Sequence, residues 1–186
     1  MSIQNLIRNC LAILLCLLAL APRAADAQSR EYQVKAAFLF NFAQFVEWPA
    51  DTYAATNAPF SIGILGDDPF GTALDETVRG ETIGSHKLVI QRSQQIAELA
   101  GCQMIFISKS EKKHIAEILS ALDSRPVLTV SEFEGFARSG GDINFYLEGT
   151  KVRFEINPAA AQNDHLKFSS QLLSVGKIVS TVKEAP

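Results

Sequence analysis

The residues able to do chemistry fall into small groups, and their spacing limits each one. Asp67 and Asp68 are paired carboxylates that follow the apolar run Phe60 to Leu65 and the turn at Gly66. Ser108 and Lys109 follow a second apolar run from Cys102 to Ile107, and Ser131 follows a third from Val127 to Val130. Ligands of open α/β sheets sit outside the carboxyl ends of the strands, so these are the first positions to examine. A phosphoreceiver needs a nucleophilic aspartate at the end of the central strand, where this chain has Ser108 and Lys109. The loop from Gly66 to Gly71 lacks the three glycines of a dinucleotide fingerprint, and the sequence has no P-loop.

His86, His114 and His165 are isolated, with no second ligand at helical or hairpin spacing, so no metal site is expected. No serine stands in a nucleophile-elbow motif. Cys102 opens a strand-like apolar run instead of an exposed helix terminus, where a thiolate would be stabilised. The reading is a non-enzymatic protein without a cofactor. The full chain carries a net charge of −3 and no basic cluster, which argues against nucleic acid and anionic membrane surfaces as partners.

What remains is binding. The segment from Gly140 to Asn157 shows strand alternation twice, Ile143, Phe145 and Leu147 against Asn144, Tyr146 and Glu148, then Val152, Phe154 and Ile156 against Lys151, Arg153 and Glu155. Both apolar rows stay on one face only with an even connection, either Glu148-Gly149 or the four residues Glu148 to Lys151. The other face carries Asn144, Tyr146, Arg153 and Glu155 toward water or a partner. Arg153 is able to fork onto a carboxylate or phosphate, or to pair with Glu155 or Glu148 on the hairpin itself.

The elements that position these groups alternate along the chain. Glu31 to Trp48 has no Gly or Pro and reads as a helix through Val34, Phe38, Phe42 and Phe45, stopped by Pro49. Its aromatic excess, including Trp48, exceeds what one core-facing stripe requires, so it is deeply buried or lends a face to another chain. Phe60 to Leu65 is a strand, and Asp67 or Asp68 caps a helix starting at Pro69. Lys87 to Gln91, Gln103 to Ile107 and Val127 to Val130 are further strands, separated by helices at Ser93 to Leu99 and Glu111 to Leu122. Ser131 with Glu134 reads as a capping box for a short helix holding Phe133 and Phe136. Asn157 caps a turn starting at Pro158, and Ser169 or Ser170 caps a last helix through Leu172, Val175, Ile178 and Val179. This predicts an open, mainly parallel α/β sheet with helices on both faces and an antiparallel C-terminal hairpin at its edge.

At the amino terminus, Arg8 and the apolar run Cys10 to Ala21 suit a signal peptide, with cleavage expected after Ala27. Residues 28–186 then form a single domain, exported and soluble in the periplasm. Loss of Arg8, Arg23 and Asp26 moves the net charge from −3 to −4. Two of the three cysteines leave with the leader, so Cys102 is unpaired within the mature chain. The expectation for it is a core position; a Cys102 to Cys102 link in a homodimer requires an exposed thiol.

The strings from Tyr32 to Pro49, Ile62 to Gly71, Cys102 to Ser108, Val127 to Phe145, Lys151 to Ala160 and Leu166 to Leu173 resemble, in order and spacing, the YfiR family. The resemblance implies a periplasmic negative regulator that binds the periplasmic sensor part of an inner-membrane diguanylate cyclase, lowering cyclic di-GMP signalling and biofilm formation. It also implies an OmpA-like outer-membrane lipoprotein as a second partner. Carried over residue by residue, the shared segments are Phe42 to Pro49, Asp68 to Gly71, Gly140 to Asn144, Arg153 to Asn157 and Ser169 to Leu173. Partner contacts are expected at Phe42, Phe45, Trp48, Asp68, Phe70, Asn144, Tyr146, Arg153 and Glu155. Relatives often pair a cysteine in the first sheet strand with one matching Cys102; here Gly63 occupies that position. The alternative function is a periplasmic small-ligand sensor or carrier, with a pocket near Asp67 and Ser108.

Overall fold

The computed structural model describes residues 27–50, 52–53, 55 and 57–182. The expected signal peptide, apart from Ala27, lies outside them. In chain order the elements are α1 (27–45), β1 (Val46–Glu47), β2 (Phe60–Leu65), α2 (Ala73–Val78), β3 (Thr82–Ile83), β4 (His86–Ser93), α3 (Ile96–Leu99), β5 (Met104–Ile107), α4 (Ile115–Leu122) and β6 (Leu128–Ser131). There follow β7 (Ile143–Glu148), β8 (Lys151–Ile156), α5 (Pro158–Asn163), β9 (Lys167–Phe168), α6 (Ser170–Val175) and β10 (Lys177–Ile178).

Eight strands form one sheet in the order β10-β8-β7-β6-β5-β2-β4-β3. The pairs β2/β4, β2/β5, β5/β6, β6/β7 and β8/β10 are parallel, whereas β7/β8 and β3/β4 are antiparallel. The fold is therefore the expected mainly parallel α/β sheet. The central strands are buried on both faces, which is why they read as continuous apolar runs. In β5, Met104 and Phe106 enter one core while Ile105 and Ile107 enter the other. The first core lies under α1, with Leu39, Phe42, Phe60, Ile62, Phe145 and Phe154 among its members. The second lies under α3 and α4, through Leu99, Ile118, Leu122, Phe133 and Phe136.

Two of the glycines in these layers lie close against side chains, Gly63 tightly and Gly141 without room for any Cβ. A Cβ on Gly63 would stand 3.2 Å from the Cys102 Sγ and 3.3 Å from both Ile105 and Leu99. One on Gly141 would collide with the Phe136 ring at 2.2 Å. Gly141 thus lets the chain enter β7 directly against that aromatic ring.

Several local expectations are corrected. Helix α1 ends at residue 45, because Val46–Glu47 pairs antiparallel with Lys167–Phe168 and the Ser169 N–H takes the Phe45 carbonyl at 3.0 Å. Its buried stripe runs through Tyr32, Ala36, Leu39, Phe42 and Ala43, with Val34 outside and 44 % exposed. The two alanines sit in this stripe beside the fully buried Leu39 and Phe42, while Phe38 and Phe45 of the expected stripe are only partly buried. Pro69 starts no helix: Asp68 accepts the Phe70 N–H at 2.7 Å in a turn, and α2 begins at Ala73. Ser131 belongs to β6, where its hydroxyl donates to the Ile107 carbonyl at 2.6 Å, so it caps nothing. The last helix stops at Val175, and Ile178 pairs in β10 beside Ile156. Strand β10 is thus the outermost strand, and the hairpin lies one strand inside the edge. The hairpin register pairs Phe145 with Phe154 and Glu148 with Lys151. This is the register of the four-residue alternative, with the ladder carried one pair further to close on Gly149 and Thr150.

Candidate partner-binding site

Helix α1 and the β7–β8 hairpin, the two elements nominated by their surplus aromatic and charged residues, lie against one another. Phe42 packs 5.0 Å from Phe154 and 5.6 Å from Phe145, and Phe38 packs 5.3 Å from Phe154, centroid to centroid. Such aromatic contacts add to simple area burial and lock the two elements in register. Phe42 is fully buried, so in this arrangement its ring serves the core and offers no surface to a partner.

The same correction applies to other expected contact residues. Phe70 is buried, edge-on to Phe106 at 4.8 Å and to Tyr32 at 5.5 Å. Asn144 is buried, and its Oδ1 has no hydrogen-bond partner among the described residues. Glu155 is buried too, held by Lys177 at 3.0 Å and by Arg138 at 3.7 Å. The expected solvated row of the hairpin is half covered: the side chains of Lys177 in β10 and Arg138 in the 3₁₀ turn Ala137–Ser139 reach Glu155.

Other expected residues keep accessible surface. Tyr146 is partly exposed with the Lys177 ammonium 5.6 Å above its ring. Arg153 is exposed and reaches Glu148 at 3.2 Å, the surface pairing considered from sequence. Phe45 and Trp48 are half-buried; the Trp48 indole N–H donates to the Gln103 carbonyl at 3.2 Å and its ring meets Phe60 edge-on. Asp68 is held by Arg92 at 2.7 Å, and Arg92 also binds Asp75 at 2.6 Å. Sequence reasoning missed Arg92. Its signal was the parallel register that sets it beside Ile64, which needs the strand order to be known.

Beneath the surface, Lys35 bonds Glu132 and Glu31, Tyr32 donates to Glu132 at 2.9 Å, and Lys109 approaches Glu132 at 3.4 Å. Burial first, then the Glu132 charge, pushes the Tyr32 phenol above its ordinary pKa. This network ties α1 to the carboxyl ends of β5 and β6. The nearby loop after β2 is closed by local bonds: the Asp67 N–H donates to Ser110, and Ser110 donates to Glu111. Of the two residues expected at a ligand pocket, Asp67 is exposed and Ser108 is buried.

Space opens elsewhere. A groove of about 1100 Å³ runs between the first turns of α1 and the hairpin tip, lined by Val34, Phe38, Leu147 and Val152 with Arg30, Lys109, Lys151 and Arg153. Among the described residues no group of three His, Cys, Asp or Glu side chains is placed to hold a metal ion. Cys102 is buried, and burial pushes its thiol up to about 11. It is neither a reactive thiolate nor reachable by a second copy of the chain in this fold.

The fold is a doubly covered, mainly parallel α/β sheet with a groove between α1 and the hairpin tip. Comparison with protein families makes this specific: the family described as YfiR/HmsC-like matches residues 32–177, from the second turn of α1 into β10. The chain belongs to that family, whose members are regulators of diguanylate cyclase signalling. Comparison with curated proteins gave no match. No helix among the described residues is long and apolar enough to cross a membrane.

Proposed function

We propose that this protein is a non-enzymatic periplasmic negative regulator that binds the periplasmic sensor part of an inner-membrane diguanylate cyclase and lowers its output. The observation that carries the reading is the family match over residues 32–177, which spans the sheet from β2 into β10 and most of α1 with the hairpin. The leader-like residues 1–27 support export into the compartment where such a sensor part is reached. Residues 28–186 would act as one domain, and an OmpA-like outer-membrane lipoprotein would compete for it.

The deciding experiment is a pull-down with the exported protein from solubilised inner membranes of its own host, followed by mass spectrometry. Recovery of a cyclase with a periplasmic domain is the expected result. Its absence, with the bait folded and monodisperse, overturns the reading.

A further inference from the structure

The chain is acidic overall, with a net charge of −3, yet the groove between α1 and the hairpin tip is basic. Arg30, Lys109, Lys151 and Arg153 line it, and its one acidic lining residue, Glu31, is already bonded to the buried Lys35. Local charge therefore opposes global charge, and a cleft of one sign concentrates ligands of the other. The walls are apolar as well: Val34 on the helix is 44 % exposed and Leu147 on the hairpin 51 % exposed. Phe38 lines the groove as well and packs on Phe154. Exposed apolar side chains facing each other across a groove of this size are the pattern of a macromolecular contact.

We infer that this groove is the docking site for an acidic segment of the partner membrane protein, one that places apolar side chains between Val34 and Leu147 and carboxylates against Arg30, Lys109 and Lys151. This rests on the regulator reading and adds the place and chemistry of its contact. A bilayer surface fits less well, since a flat anionic sheet reaches neither wall of a recess and is repelled by the acidic remainder of the chain. The ends of the groove also explain how occupancy is felt inside the protein. Lys109 and Glu31 belong both to the groove lining and to the network holding Lys35 and Glu132. A carboxylate drawn to Lys109 competes with Glu132 for it, and so acts on the joint between α1 and the sheet.

The test compares retention of the cyclase recovered by the wild-type exported protein with its retention by Arg30→Glu/Lys151→Glu and by the charge-matched control Lys87→Glu/Lys113→Glu. All four positions are exposed, so both variants should keep the wild-type melting temperature. The expected result is at least a tenfold fall in retention for the groove variant, none for the control, and a fall in wild-type retention as salt rises. A photo-reactive residue at Leu147 should give an adduct whose partner peptide is rich in Asp or Glu and apolar residues. Equal retention by the two variants overturns the groove while leaving the regulator reading standing. Failure of the wild type to retain any cyclase overturns both. Adducts only with a second copy of the chain, or binding to phosphatidylglycerol vesicles that the groove variant loses, would reassign the surface and overturn the proposal.

Discussion

Lys35 and Glu132 are separated by 97 positions in the chain and meet as an ion pair with both side chains 3 % exposed. The pair joins the face of α1 to the residue that follows β6. Removing one partner leaves the other with part of its network only, Glu132 with Tyr32 and Lys109 or Lys35 with Glu31, so the typical cost of about 3–5 kcal/mol for breaking a buried pair is an upper figure. Lys35→Met alone and Glu132→Gln alone should each lower the urea midpoint strongly. The double variant should lose less than the sum, because neither charge is then left buried alone. Additive losses would show that the two side chains act independently.

Phe42 separates a core role from an interface role. Its ring is sealed between α1 and the hairpin, so Phe42→Ala should destabilise by about 3–5 kcal/mol. Denaturation followed by fluorescence of Trp48, the only tryptophan, measures this directly. A melting curve unchanged by the substitution, together with lost partner retention, would return Phe42 to the binding surface.

That contrast marks where the sequence was legible. Strands β2, β5 and β6 were readable because a buried parallel strand needs apolar residues on both faces, and Phe60 to Leu65 and Met104 to Ile107 supply them. The caps at Asn157 and Ser169 were readable because each acts on the residue three positions on, Ala160 and Leu172. The end of α1 was not, since it is set by the pairing of Val46 with Phe168, 122 positions later. Arg92 with Asp68 and Lys35 with Glu132 escaped for the same reason. Alternation assigned Asn144 and Glu155 to the same face, but it does not say that Arg138 and Lys177 reach Glu155 or that Asn144 is buried between β6 and β8.

Gly63 and Cys102 offer a covalent check of the sheet register. An added Cβ at Gly63 falls 3.2 Å from the Cys102 Sγ, within the reach of a disulfide. Gly63→Cys should form that bond in an oxidising compartment, abolishing free-thiol titration under denaturing conditions. Closing a loop of roughly 40 residues would add up to about 4 kcal/mol, less the strain of seating the side chain beside Leu99 and Ile105. Two free thiols in the purified variant would show that β2 and the start of β5 are not so placed.

Asp142 makes stability depend on pH. Its Oδ2 accepts from the Thr129 N–H and hydroxyl, both at 2.8 Å, while Oδ1 has no partner among the described residues. Burial pushes its pKa from 3.8 to about 7, against the opposing Thr129 N–H bond and helped by the charge of Asp164. The folded state therefore holds this proton through a range in which the unfolded state has released it. Stability contributed by Asp142 is full below about pH 4 and is lost as pH rises toward 7, by up to about 1.4 kcal/mol per pH unit. Asp164, raised by burial to about 6, adds to the same slope. Asp142→Asn keeps the acceptor for Thr129 and should flatten the difference in urea stability between pH 4 and pH 7. An unchanged slope would show that Asp142 is not protonated in the fold.

Arg153 tests whether the hairpin surface binds or merely holds itself together. The guanidinium is 49 % exposed and its partner Glu148 is 66 % exposed, at 3.2 Å; such surface pairs contribute between zero and about 1 kcal/mol. Arg153→Glu places a like charge beside Glu148 in water, where screening keeps the penalty small, so the melting temperature should stay nearly unchanged. Retention of the membrane partner should fall severalfold, because the substitution removes a cation from the groove and adds an anion facing an acidic segment. Lys and Arg differ in their reach toward a carboxylate: Arg153→Lys keeps the charge but not the planar fork. Full retention by the lysine variant would assign the residue to charge steering, and partial retention to a paired, geometric contact. A large loss of stability with Arg153→Glu would mean that the side chain secures the hairpin, and any loss of binding would then follow from the fold.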